Sequence, residues 1–140
     1  MTSSFFVPRT SAEITKLEQS VLILPIPSIG AVAQLAADVL ITKYDLELVG
    51  YLDSKYHVPI VGGQEKGHGI CTAVDVYHSS KNGITIVLQR SPPLKAHADA
   101  FADELATWSS SVGFKDALVV TGIGAETRTD TELQETRYLI

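Results

Sequence analysis

The sequence lacks several features that would each commit it to a particular chemistry. It carries one cysteine, Cys71, among 140 residues, so no internal disulfide can form and no zinc site built on several thiolates is available. It has no run of basic residues. Eleven Lys and Arg are scattered against sixteen Asp and Glu, which leaves a net charge of -5. Affinity for nucleic acid rests on clustered Lys and Arg that neutralise phosphates, so nucleic acid is not an expected partner. No long hydrophobic run is present either. The most apolar stretch, Val21 to Ile41, is interrupted by Pro25, Pro27, Ser28, Gly30, Gln34 and Asp38, so no membrane association is expected. Met1 to Thr10 shows no charged segment leading into an apolar core, and no secretory leader is expected. Cytoplasmic or nuclear residence is the expectation.

What is present suffices for a folded core. The hydrophobic fraction is 45% against 19% charged, outside the composition of disordered chains, and the length suits one domain. Residues 1–20 are expected to lead into a single α/β domain over 21–140. Val21 to Leu24 reads as a strand buried on both faces. Ser28 is placed to cap the helix that follows, whose inward face is expected to be Val32, Leu35, Ala36, Val39 and Leu40. Glu47 to Leu52 completes a parallel βαβ unit, and the Gly-rich stretch from Asp53 to Gly69 is a long connection. Ile70 to Tyr77 and Ile84 to Gln89 form an antiparallel hairpin across Asn82-Gly83. Ser91 and Pro92 suit the start of a second helix, whose stripe is Ala98, Phe101, Leu105, Trp108 and Val112, with Gly113 closing it. Ala117 to Val120 is a further buried strand. The expected architecture is a mixed, largely parallel sheet with helices packed on it.

Candidate reactive residues carry little weight as chemistry. Cys71 has no neighbouring base and reads as a small buried hydrophobe. His57, His68, His78 and His97 lack the spacing of a metal motif and read as solvated loop residues. Ser28 lies between strand and helix, as a nucleophile elbow does, but Ile26 stands where that motif needs glycine. Gly122-Ile-Gly124 follows a strand as phosphate loops do, without the remaining glycines or the lysine. Tyr51 to Gly63 mixes aromatic and aliphatic residues with turn formers, and from it Tyr51, Asp53, Tyr56, Val58 and Ile60 are the expected partner-binding residues.

An ordered series of segments resembles the proteasome assembly chaperone 2 family: Leu22 to Ile41, Val49-Gly-Tyr-Leu-Asp53 with Val58-Pro-Ile-Val-Gly62, and Leu88-Gln-Arg-Ser-Pro92 followed by Phe101, Leu105 and Trp108. The resemblance runs from about Phe5 to Tyr138. Two departures are visible. Gly30-Ala-Val-Ala33 replaces a Gly-Asn-Val-Gly helix opening, and Tyr138-Leu139-Ile140 places its tyrosine one position from the family's tail pattern. The family's proteins are longer, so the chain is expected to be an N-terminal portion, truncated at the C-terminal end.

The resemblance implies a non-enzymatic chaperone subunit. It would pair with a proteasome assembly chaperone 1-like subunit and bind 20S proteasome α subunits to promote α-ring assembly, without catalytic residues, cofactor or metal. An unoccupied partner surface would allow the chain to form homo-oligomers in isolation. The alternative is a small-molecule enzyme of nucleoside phosphorylase-like or hydrolase-like α/β fold, with an anion site near Gly122–Gly124 and Ser28 beside it.

Overall fold

The computed structural model describes residues 5–10, 16–63, 69–126, 128, 129 and 131. In chain order the elements are β1 (Phe6–Pro8), β2 (Val21–Pro25), α1 (Val32–Lys43), β3 (Glu47–Leu52), β4 (Gly62–Gly63), β5 (Ile70–Cys71), β6 (Val74–Ser79), β7 (Ile84–Gln89), α2 (Ala98–Val112) and β8 (Asp116–Val120). Single 3-10 turns at Ile29–Ala31 and Lys95–His97 precede the two helices.

Six strands form one sheet in the order β1-β3-β6-β7-β2-β8, and β4 and β5 form a separate two-stranded ribbon. The β1/β3, β3/β6 and β6/β7 pairings are antiparallel, whereas β7/β2 and β2/β8 are parallel. The expectation of a largely parallel sheet is therefore corrected: the sheet is mixed and predominantly antiparallel. The reason is topological. β2 and β3 do point the same way on either side of α1, but the β6/β7 hairpin is inserted between them. They are never neighbours, and each pairs with a hairpin arm instead.

Local chemistry explains the elements. In the hairpin, Ser79 and Ile84 face each other across the turn, and the Asn82 N–H donates to the Ser79 carbonyl at 3.2 Å. β6 and β7 are buried on both faces because a helix lies over each. On one face Phe101, Leu105 and Trp108 of α2 bury against Leu22, Val49, Leu52, Val74, Val76 and Val87. On the other, α1 covers Ile23, Ile86 and Leu88. α2 follows its expected stripe and stops at Gly113, whose φ of +78° suits glycine. It starts later than expected, at Ala98. Ser91 to Leu94 remain outside the helix, with Pro93 bridged to His57.

Two further expectations fail here. α1 buries Ala33 and Ala37, with Leu40 and Ile41 packed beside them, while Val32, Leu35, Ala36 and Val39 face out. Small residues at i and i+4 let the helix lie close to the sheet, and that face wins over the bulkier one. Ser28 does not cap α1: the residue at that position is Ala31, with a φ of +52°.

The stretch expected only to lead into the domain contributes to its core, since Phe6 and Leu17 are buried. Phe6 fits because Gly50, opposite β1, has no side chain. A Cβ there would lie 2.5 Å from the Val7 carbonyl and 2.6 Å from the Phe6 ring.

Candidate partner-binding surface

Sheet polarity decides where the exposed apolar residues collect. β2, β3, β7 and β8 run in one direction, so the loops after them (26–31, 53–61, 90–97 and 121–126) leave from one rim, where β6 also enters. The carboxyl ends of strands are the usual docking edge of open α/β sheets.

The five residues expected to bind a partner do gather at one part of this rim, and they are not equivalent. Tyr51 lies in β3 opposite Val7 and Asp75 and is partly exposed. Asp53 follows the strand, and its N–H donates to the Phe5 carbonyl at 2.8 Å. Tyr56 is half-buried against the α2-side core. Its ring centroid stands 5.7 Å from that of His97, and its carbonyl accepts the Leu94 N–H at 2.8 Å. Tyr56 is thus a packing residue. Val58 and Ile60 point to solvent, Val58 at 51% exposure.

The loop is anchored by His57, which is buried rather than solvated as the sequence suggests. Its Nδ1 lies 2.8 Å from Ser54 Oγ and its Nε2 3.4 Å from Gln89 Oε1. Its ring meets Phe101 edge-on at 4.5 Å. Burial pushes its pKa below the ordinary imidazole value, against a smaller upward pull from Gln89. A neutral, packed histidine therefore fixes the loop and leaves Val58, Ile60 and Val61 presented on its outer side. Val61 (74% exposed), Ile70 and Leu94 add to this apolar rim and were missed by sequence reasoning. Their isolation among turn formers was the available signal.

The other histidines are also distinct. His78 is buried, in a relay that also corrects the solvated reading. Ser20 Oγ donates to the Leu17 carbonyl at 2.6 Å and lies 2.7 Å from Thr85 Oγ1, which is 3.0 Å from His78 Nδ1. Ser20 spends its one proton on the carbonyl, so it accepts from Thr85. Thr85 then accepts from His78 Nδ1–H, and His78 Nε2 faces Ser80 Oγ at 3.1 Å. Burial lowers the His78 pKa as well. His97 is exposed, and His68 lies outside the described residues.

The residues considered for catalysis do meet, without forming a reactive site. Ser28 Oγ accepts the Gly122 N–H at 3.0 Å, and a Cβ on Gly122 would come within 2.9 Å of it. The pair fastens the loop after β2 to the loop after β8 and engages the Gly122 N–H. An open cavity of about 490 Å³ lies elsewhere, between Phe5 and the α2 residues Ala100, Asp103, Glu104, Thr107, Trp108 and Ser111. Cys71 is half-exposed in the β4/β5 ribbon, with Sγ 3.9 Å from the Gly63 carbonyl, rather than buried. No group of three or more potential metal ligands occurs among the described residues, and no described helix is long and apolar enough to cross a membrane.

Comparison with known proteins gives a consistent picture. The PAC2 family profile matches residues 22–139. A proteasome assembly chaperone 2 of Nematostella vectensis is 36% identical over 122 residues, covering 81% of this chain and 50% of that protein. Its counterpart in Xenopus tropicalis is 31% identical over 127 residues, covering 85% and 49%. Among solved structures, Pyrococcus furiosus PbaA, an archaeal homolog of proteasome-assembly chaperone, superposes with a TM-score of 0.68 at 23% identity, over 81% of this chain and 48% of that one. This chain spans about half the length of the curated relatives it matches.

Proposed function

The chain belongs to the PAC2 family, and from that premise we propose that it acts in proteasome assembly, pairing with a second, related chaperone and binding 20S α subunits as the α ring forms. It is a PAC2-type chaperone and not an enzyme. The names its relatives carry support a role in proteasome assembly, and one structural observation supports the finer assignment, a heterodimer that engages α subunits. Val58, Ile60, Val61 and Leu94 stand exposed on loops held by a buried histidine, and Ile70 is exposed in the adjoining β4/β5 ribbon. A rigidly presented apolar rim suits protein recognition, because little ordering entropy is lost on docking. The proposal places the chain in cytoplasm and nucleus, where free α subunits would have to be met.

The test is a pull-down from lysate with the tagged chain, analysed by mass spectrometry and compared with a Val58→Asp/Val61→Asp variant. The proposal expects a second PAC2-family chaperone together with free α subunits, both reduced in the variant. A folded bait that recovers neither overturns it.

A further inference from the structure

α2 brings carboxylates to the surface without a basic residue of its own to balance them. Between Ala98 and Val112 it holds Asp99, Asp103 and Glu104 and no lysine or arginine. Asp99 sits in the first turn, where the helix dipole favours a carboxylate. Asp103 and Glu104 lie one turn further, where that effect has faded. Asp103 also stands four residues after Asp99, a repulsive spacing for like charges. Among the described residues no ion pair reaches Asp103 or Glu104. Lys55, whose pKa is raised chiefly by Tyr56 and less by Glu104, stays over the Tyr56 ring at 5.0 Å.

These two carboxylates border the open cavity of about 490 Å³ beside Phe5. Its helical side is one flank of α2: Ala100, Asp103, Glu104, Thr107, Trp108 and Ser111. At 1.5 Å per residue that flank is about 16 Å long, room for roughly five residues of extended chain. Phe5 and Trp108 supply an aromatic wall, their ring centroids 6.3 Å apart and edge-on. Phe5 is held there by its carbonyl, which accepts the Asp53 N–H at 2.8 Å. The hydroxyls of the cleft add acceptors and no donors. Thr107 Oγ1 donates to the Asp103 carbonyl at 2.8 Å and Ser111 Oγ to the Trp108 carbonyl at 2.7 Å. With those protons spent, each hydroxyl offers only lone pairs, as the carboxylates do.

Acceptors of this kind beside an aromatic wall select a ligand that is cationic, rich in donors and able to lie against a ring. A guanidinium group meets all three conditions, being planar, carrying five N–H donors and stacking on aromatic faces. An ammonium group meets the charge and lacks the plane. We propose that this cleft recognises an arginine side chain carried by an extended segment of a partner protein, its guanidinium lying against Trp108 and Phe5 and donating to Asp103 and Glu104. Ala100, on the same flank, leaves room for the segment's backbone. The net charge of -5 favours the approach of such a basic segment. The cleft is separate from Val58, Ile60 and Val61, and its test contains no proteasome subunit, so it stands or falls independently of proteasome binding.

The chain has a single tryptophan, whose indole N–H gives one assignable resonance in a nitrogen–proton NMR correlation spectrum. The full chain is titrated with blocked pentapeptides that are alanine except for a central arginine, lysine or citrulline, the last being the uncharged analogue of arginine. A saturable shift of the Trp108 resonance is expected with the arginine peptide, at a Kd of about 1 mM or tighter. The lysine peptide should bind more weakly, and the citrulline peptide should not saturate. Asp103→Asn/Glu104→Gln should weaken the arginine peptide about tenfold while the rest of the spectrum stays native. Equal affinity for the lysine or citrulline peptide, unchanged affinity in the variant, or a resonance silent toward all three peptides overturns the proposal. So does a resonance that responds only after residues 1–4 are removed, which would put the chain's own N-terminus in the cleft.

Discussion

Replacing Gly50 with alanine should loosen the first strand and report its detachment through Trp108. The added Cβ would sit 2.5 Å from the Val7 carbonyl oxygen and 2.6 Å from Phe6 Cε2, well inside contact distance, and a backbone carbonyl cannot rotate away. Gly50 also ends a bulge, since β3 pairs Leu48 with Tyr77 and then Gly50 with Val76. β3 therefore has little freedom to recede. Forcing a methyl into a packed site costs about 1–3 kcal/mol. The alternative is to release β1. That exposes Phe6, worth about 2–3 kcal/mol of burial, but recovers about 1–2 kcal/mol of backbone entropy per freed residue. Release thus caps the loss at about 2–3 kcal/mol. Trp108 lies 5.6 Å from the Phe6 ring and 6.3 Å from Phe5, so its fluorescence should shift to the red as both leave. Urea titration followed by Trp108 emission measures both effects. A Gly50→Ala protein with native emission and a midpoint shift worth under about 0.5 kcal/mol would refute the packing argument.

Three other outcomes follow from the buried polar groups and the rim. His57 and His78 have pKa values lowered by burial, so below about pH 6.5 the unfolded chain binds more protons than the native one. Stability should be flat above that pH and decline beneath it, less steeply in His57→Gln, when urea midpoints are measured from pH 8 to 5. Asp75 behaves in the opposite sense. Burial raises its pKa, with the Thr72 N–H and hydroxyl and then Arg90 pulling it back, and its Oδ2 has no hydrogen-bond partner among the described residues. Its charge opposes folding once pH exceeds the native value, so Asp75→Asn should raise Tm at pH 7 by an amount that shrinks on acidification, as scanning calorimetry would record. At the rim, Val58→Asp/Val61→Asp should change stability by no more than about 0.5 kcal/mol per site while weakening partner binding. Tyr56→Asp should also destabilise the fold, because that ring packs against the core.

Strand positions were legible because β2, β3 and β7 are short apolar runs between turn formers, and α2 because Phe101, Leu105 and Trp108 keep helical spacing. Sheet order was not. A hairpin inserted between β2 and β3 leaves no local trace, since each strand's pattern records only that it is covered. The α1 error has a different origin. That helix has two apolar faces, and periodicity chose Val32, Leu35, Ala36, Val39 and Leu40, of which Leu40 alone packs against the core. Close approach to the sheet selects Ala33 and Ala37, a tertiary preference. The rim was half legible. Val58 and Ile60 were found as apolar residues in a loop, whereas Ile70 and Leu94 join them only through the return of β6 and the His57–Pro93 bridge.

The proposed action of this chain on proteasome α subunits through its apolar rim can be tested directly. The direct measurement combines the purified chain, a related PAC2-family partner and free α subunits, with complexes resolved by native mass spectrometry. A species containing all three is expected, with affinity for the α subunit reduced about tenfold or more, equivalent to about 1.4 kcal/mol, by Val58→Asp/Val61→Asp. A folded chain that pairs with the partner but binds no α subunit, or binds it equally well with both valines replaced, would contradict it.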